Sequence, residues 1–181
     1  MKNNKTELRQ KLIKKRKSLS FSQWQKKSDL VCQNLENYPP FIKAETVLAY
    51  FSFQQEPDLS QLFPHKQFGF PRCVKQSLTW HFWQPPQLLE HNKYDIQEPL
   101  QSSPVIEPQQ VDLILVPTVA CDRFGYRLGY GGGYYDRFLS ASQWRNIPTM
   151  GVLFDFAYLD KLPQESWDIP LDGVCTESFI S

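Results

Sequence analysis

Half of this chain's glycines fall within the segment Arg127-Leu-Gly-Tyr-Gly-Gly-Gly-Tyr-Tyr-Asp136, and no other stretch limits the possible folds so tightly. Gly129, Gly131, Gly132 and Gly133 are four of the eight glycines. Upstream lies Val111-Asp-Leu-Ile-Leu-Val-Pro117, an apolar run that reads as a buried strand. Downstream, Tyr134-Tyr-Asp-Arg-Phe-Leu139 reads as the opening of a helix. A buried strand, a glycine loop and a helix in succession point to an α/β sheet protein. The same succession makes an anion cradle. Glycines let backbone N–H groups approach a phosphate, the helix start adds unsatisfied donors, and Arg127 brings a full charge.

Two familiar phosphate loops are excluded. A Walker A loop needs Gly-Lys followed by Ser or Thr, but no lysine lies between Lys93 and Lys161. The dinucleotide fingerprint needs glycine at the sixth position from Gly129, which is Tyr134. A plain flexible turn would explain the glycines. It would not explain Arg127, paired tyrosines and Asp136 at fixed places around them.

The rest of the chain supports the α/β reading. Leu8, Leu12 and Leu19 can share one face of an opening helix, with Lys5 and Arg9 on another. Ser20 and Gln23 suit a capping box for a second helix that ends before Pro39-Pro40. Residues 46–53 form an unbroken apolar and β-branched run, read as a doubly covered strand. Shorter strands are expected at 67–70 and 78–83, and further buried ones at 111–116 and 149–154. Residues 84–110 hold five prolines and few apolar side chains, which predicts a long functional or disordered loop. Alternating strands and helices predict a parallel or mixed sheet covered on both faces, with ligands at the carboxyl ends of the strands. Glu56, beyond Phe53, and the glycine loop, beyond Val116, should then share that edge.

With 181 residues, 41% hydrophobic and 14% aromatic, the chain suits one folded domain, residues 1–181. The net charge of +1 hides an asymmetry, since half of the 20 Lys and Arg residues lie among the first 27 positions. Such an arm can bind nucleic acid or be a solvated helix face. Cys32, Cys73, Cys121 and Cys175 are widely spaced, and His65, His81 and His91 add no ligand spacing, so zinc and disulfides are not expected. No apolar run reaches membrane-spanning length, and a cytoplasmic protein is expected.

The segment Asp112-Leu-Ile-Leu-Val-Pro-Thr-Val-Ala-Cys-Asp-Arg-Phe-Gly-Tyr-Arg-Leu-Gly-Tyr-Gly-Gly-Gly-Tyr-Tyr-Asp-Arg-Phe-Leu139 closely resembles the signature of the 5-formyltetrahydrofolate cyclo-ligase family. Further matches follow the family's order: Lys5-Thr-Glu-Leu-Arg9, Phe51-Ser-Phe-Gln-Gln-Glu56, Phe70-Pro-Arg72, Ile96-Gln-Glu-Pro99, Asp168-Ile-Pro-Leu-Asp172 and Thr176-Glu177. The resemblance implies a three-layer α/β/α fold like the NagB/RpiA/CoA-transferase group. It also implies ATP- and Mg²⁺-dependent closure of 5-formyltetrahydrofolate to 5,10-methenyltetrahydrofolate through an iminophosphate, releasing ADP and phosphate. Carried over by position, Lys5, Arg9, Arg127, Leu128, Gly129, Tyr130, Gly131, Gly132, Gly133, Tyr134 and Tyr135 would meet ATP. Tyr130 to Tyr134, with Phe51, Glu56 and Tyr94, would border the folate. Asp136 and Asp172 would hold Mg²⁺, and Arg127 and Asp136 would carry the catalysis. From the residues alone, Glu56 reads better as a strand-end surface carboxylate, and Tyr94 equally well as a loop anchor.

The chain departs from the family pattern at two places. Some members carry lysine at the position of Gly132, so charge there must come from elsewhere, Arg123 and Arg72 being the candidates. Many have His-Asp where this chain has Trp167-Asp168, so no catalytic histidine is assigned. Two rival readings compete with this one. One is a sugar-phosphate isomerase or acyl-CoA transferase on a similar fold, which would need no hydrolysable ATP. The other is a nucleic-acid binder using the basic first helix, which lacks interleaved aromatics for stacking. The expected partners are small molecules, with no nucleic acid and no membrane, acting on a monomer.

Overall fold

The computed structural model describes residues 2–181. Its centre is a six-stranded sheet built from β1 (Thr46–Leu48), β2 (Gln67–Val74), β3 (Ser77–Phe82), β6 (Leu113–Pro117), β9 (Thr149–Val152) and β11 (Gly173–Cys175). Their order is β11-β9-β6-β1-β2-β3, and every neighbouring pair is parallel except β2 with β3. Between β3 and β6 lies an antiparallel hairpin of β4 (Leu89–His91) and β5 (Gln97–Pro99). A second, three-stranded sheet joins β7 (Ala120–Asp122), β8 (Arg127–Leu128) and β10 (Tyr158–Leu159).

Alternation along the strands decides which face each side chain covers. Val47, Leu113, Leu115, Met150 and Val152 pack with Val31, Cys32 and Leu35 of helix α2 (Phe21–Glu36) and Phe41 of α3 (Pro39–Lys43). Leu48, Ile114 and Val116 point the other way, onto Phe138 and Leu139 of α4 (Tyr134–Ser140) and onto Trp144. The result is three layers. Helix α1 (Lys2–Lys17) lies instead against the small sheet, where Leu12 meets Ala120, Cys121 and Leu128. Leu115 is fully buried on the central strand. Leu115→Ala is expected to cost about 2–5 kcal/mol through lost burial and a cavity, read as a lowered denaturation midpoint.

Several expectations change in detail. The capping box of α2 is present, with Gln23 N–H donating to Ser20 Oγ and Ser20 N–H to Gln23 Oε1. The run 46–53 gives only three residues of strand. After Leu48 the chain stays buried but leaves the ladder, so that Phe51 stacks on Phe70 with centroids 4.1 Å apart. Left-handed Gln54 and Gln55 then turn it back. The proline-rich stretch contains the β4–β5 hairpin, whose polar three-residue strands carry no period-2 signal. The glycine loop does not follow β6 directly. The chain first forms β7 and β8, and the loop leaves from β8. Among the described residues no helix is long and apolar enough to cross a membrane. Burial pushes the thiols of Cys32, Cys121 and Cys175 up to about 12, which makes them unreactive.

Candidate active site

The glycine loop connects β8 to α4, and Gly131 (φ 96°) and Gly133 (φ 69°) adopt left-handed backbone that side chains resist. Helix α4 has only seven residues, so the free amides of the loop matter more here than a helix dipole. None of the amides of Tyr130, Gly131, Gly132 or Gly133 donates a hydrogen bond within the described residues.

Cations converge on this loop. Arg9 Nε donates to Gly129 O at 2.7 Å, and one turn earlier on α1 Lys5 Nζ pairs with Asp168 Oδ2 at 2.8 Å. Arg127 is nearly buried and donates to Asp136 Oδ1 at 2.6 Å, while Asp136 remains substantially exposed. Two buried polar atoms beside this pair, Arg127 Nε and the Tyr135 hydroxyl, have no hydrogen-bond partner among the described residues. Orphaned buried donors call for an explanation, and an anion or ordered water supplies one.

On the same sheet edge, the chain beyond β1 delivers Glu56. It is only 3% exposed, so it is a buried carboxylate and not a surface one. Its Oε1 accepts from the Tyr130 hydroxyl at 3.0 Å and its Oε2 from Phe53 N–H at 3.1 Å. Arg16 of α1, itself buried, stands 3.9 Å from Oε1 and donates to Gln54 O, Phe53 O and the Tyr130 hydroxyl. Burial raises the Glu56 pKa, with Arg16, Tyr130 and the Phe53 amide acting against it. The shared edge expected from strand order is therefore present, because Tyr130 of the loop touches Glu56 directly. The neighbouring Gln55 lines a cavity of about 420 Å³ together with Trp24, Phe51, Asp58, Phe63 and Gln97, and Glu56 itself is not part of its wall.

A raised Glu56 pKa means that the fold favours the neutral acid. Stability is expected to fall as pH rises through the folded pKa, a loss that Arg16 limits. Removing that cation in Arg16→Met should raise the Glu56 pKa further. Any step needing ionised Glu56 would then lose its rate at a higher pH than in the parent, visible as a shifted acid limb in kcat/KM.

The other sequence-derived site residues divide. Tyr94 reaches Tyr134, with hydroxyl oxygens 3.2 Å apart, at the exposed rim of the loop. Phe51 belongs to the aromatic wall of the cavity. Leu128 is buried, and the Tyr135 ring packs on Trp80 and Phe138, so these two offer the loop backbone more than side chain. Asp172 is not brought to the loop. Its Oδ2 accepts from Thr149 N and Oγ1, both at 2.8 Å, at the amino ends of β9 and β11, the opposite sheet edge. The carboxylate of that segment on the loop side is Asp168, through Lys5. Arg72 is committed to Glu90 and Glu98, and Arg123 lies over Phe124 in the β7–β8 turn. The cation at Gly132 is Arg137, whose Nη2 donates to Gly132 O at 3.0 Å. Sequence reasoning missed both Arg16 and Arg137, which stand among other charged residues with no spacing signal to separate them.

The arrangement offers an anion-accepting loop, a buried carboxylate and an aromatic-walled cavity on one edge. Among the described residues it brings together no nucleophile–base pair. The model of the 5-formyltetrahydrofolate cyclo-ligase family matches residues 1–177. The 5-formyltetrahydrofolate cyclo-ligase of Escherichia coli K12 is 33% identical over 175 residues, covering 92% of this chain and 96% of its own. That of Haemophilus influenzae is 30% identical, covering 91% and 93%. The solved structure of Aquifex aeolicus 5,10-methenyltetrahydrofolate synthetase superposes with a TM-score of 0.86 at 36% identity, covering 97% of this chain and 91% of that one. A site with this geometry, carried by a chain aligned with such relatives almost end to end, belongs to a member of the 5-formyltetrahydrofolate cyclo-ligase family.

Proposed function

We propose that the protein uses ATP and Mg²⁺ to close 5-formyltetrahydrofolate into 5,10-methenyltetrahydrofolate. The observation that carries this reading is the direct contact between Tyr130 of the glycine loop and buried Glu56, which joins an anion-accepting loop to a buried carboxylate. The pterin's adjacent amino and ring N–H groups suit a buried carboxylate as a paired acceptor. The triphosphate suits the free amides of the loop, with Arg9, Lys5 and Arg127 supplying positive charge.

In this arrangement the chemistry asks little of the protein as acid or base. The formyl oxygen attacks the γ-phosphoryl group, ADP leaves, and the resulting iminophosphate makes that oxygen a good leaving group. The second folate nitrogen closes the ring and phosphate departs. Positioning and neutralisation of charge account for catalysis, in keeping with the absence of a nucleophile–base pair. A Mg²⁺ ion that keeps several waters needs only one or two carboxylates beside the phosphates. Among the described residues no three acidic, His or Cys side chains gather as a closed metal cage. Asp136 fits as one such carboxylate, and Asp168 fits better than Asp172 as the second. When bound, the ion would screen phosphate charge.

Absorbance of the methenyl product, followed with and without ATP and Mg²⁺, tests the reading. Product that requires both is the expected result. A protein that binds ATP and never converts 5-formyltetrahydrofolate would refute it.

A further inference from the structure

The cations around the glycine loop differ in what neutralises them. Arg127 has Asp136, Lys5 has Asp168 and Arg16 has Glu56. Arg9 and Arg137 have no carboxylate partner among the described residues, and each donates to a carbonyl of the loop, Gly129 O and Gly132 O respectively. In a planar trans peptide the C=O and the following N–H point in opposite directions. A guanidinium holding Gly132 O therefore turns the Gly133 amide the other way, and one holding Gly129 O does the same for Tyr130. Both amides lack an acceptor among the described residues.

Arg137 is placed to do more than hold the loop. Its Nε donates to Gln76 O at 2.6 Å, in the β2–β3 turn, and its guanidinium lies 5.2 Å from the Tyr134 ring centroid. A Cβ at Gly133 would stand 2.5 Å from Arg137 Nη1, so the glycine backbone lies directly on the guanidinium. The side chain is exposed at the loop with its charge unspent.

We propose that Arg137 is a further phosphate-binding arginine of this loop, beyond Arg9 and Arg127, and that it takes the polyphosphate of a nucleoside triphosphate. The inference rests on the ATP reading above. The guanidinium keeps Gly132 O on Nη2 and Gln76 O on Nε, and offers its remaining N–H groups to phosphate oxygens, a charge-assisted and stronger pairing.

Titration calorimetry on the intact protein with ATP and AMP tests this, with steady-state KM values for both substrates. Arg137→Gln is expected to weaken ATP binding about tenfold or more while AMP binding changes far less, and the folate KM should move less than about twofold. Arg137→Lys keeps the charge without the fork and should fall between the two. The melting temperature of each variant shows whether the loop still folds, and if the glutamine variant is unstable the lysine variant must still lose ATP selectively over AMP. Unchanged ATP binding, or equal losses for ATP and AMP, would make Arg137 a tether of the loop and overturn the proposal alone. If the parent protein binds no ATP and forms no product, the ATP reading falls and Arg137 falls with it.

Discussion

Asp136→Asn is expected to fold normally, to lose turnover by about a hundredfold or more, and to need far more Mg²⁺ for what remains. Asp136 is the exposed carboxylate beside the glycine loop, and carboxylate and polyphosphate repel unless a cation lies between them. Removing one preorganised charge from such a site costs on the order of 10²–10³ in rate. The ion pair with Arg127 supplies a competing role, since Arg127 is nearly buried and would lose its counter-charge. The two roles separate experimentally. If Asp136→Asn lowers the melting temperature and keeps the parent's Mg²⁺ dependence, Asp136 serves only to neutralise Arg127.

Glu56→Gln is expected to raise the KM for 5-formyltetrahydrofolate about ten- to a hundredfold and leave ATP affinity within about twofold. A charged contact to two pterin donors contributes roughly 1.5–3 kcal/mol, which corresponds to that range. The variant should also lose part of the parent's pH dependence. In the parent, kcat/KM for folate should fall as acid protonates Glu56, and at a higher pH than an ordinary carboxylate would set, because burial raises its pKa. Glutamine cannot titrate, so that limb should disappear. Unaltered folate kinetics in a folded Glu56→Gln protein would remove Glu56 from the site.

Much of this site is written in local patterns. The apolar run before the loop and the glycines within it predict a glycine loop at a strand-to-helix passage, and the loop does join β8 to α4. Strand order then puts Glu56 on the same edge, which the Tyr130 contact bears out. The i, i+4 spacing of Lys5 and Arg9 carries both to one side of α1, as their contacts with Asp168 and Gly129 show. Other features depend on how the chain closes in space. Asp168 and Asp172 sit four residues apart in one segment, and only the path of that segment past α1 and β9 separates the carboxylate near the loop from the one held by Thr149. Arg16 is one cation in a basic helix until burial beside Glu56 singles it out. Strands β7 and β8 are three and two residues long, too short for any periodicity to reveal.

Tyr130 already holds the oxygen of Glu56 that the proposed reading offers to the pterin. Folate would therefore meet an oxygen that already accepts one bond. Oε1 can accept from a second donor or lose the Tyr130 bond, and where that hydroxyl is displaced the net gain is the difference between two polar contacts. The displaced hydroxyl belongs to the loop proposed to cradle ATP, so occupancy of one half-site perturbs the other. By reciprocity, whatever folate does to nucleotide affinity, nucleotide must do in equal measure to folate affinity. A single tyrosine would make the two substrates report on each other before any bond between them forms.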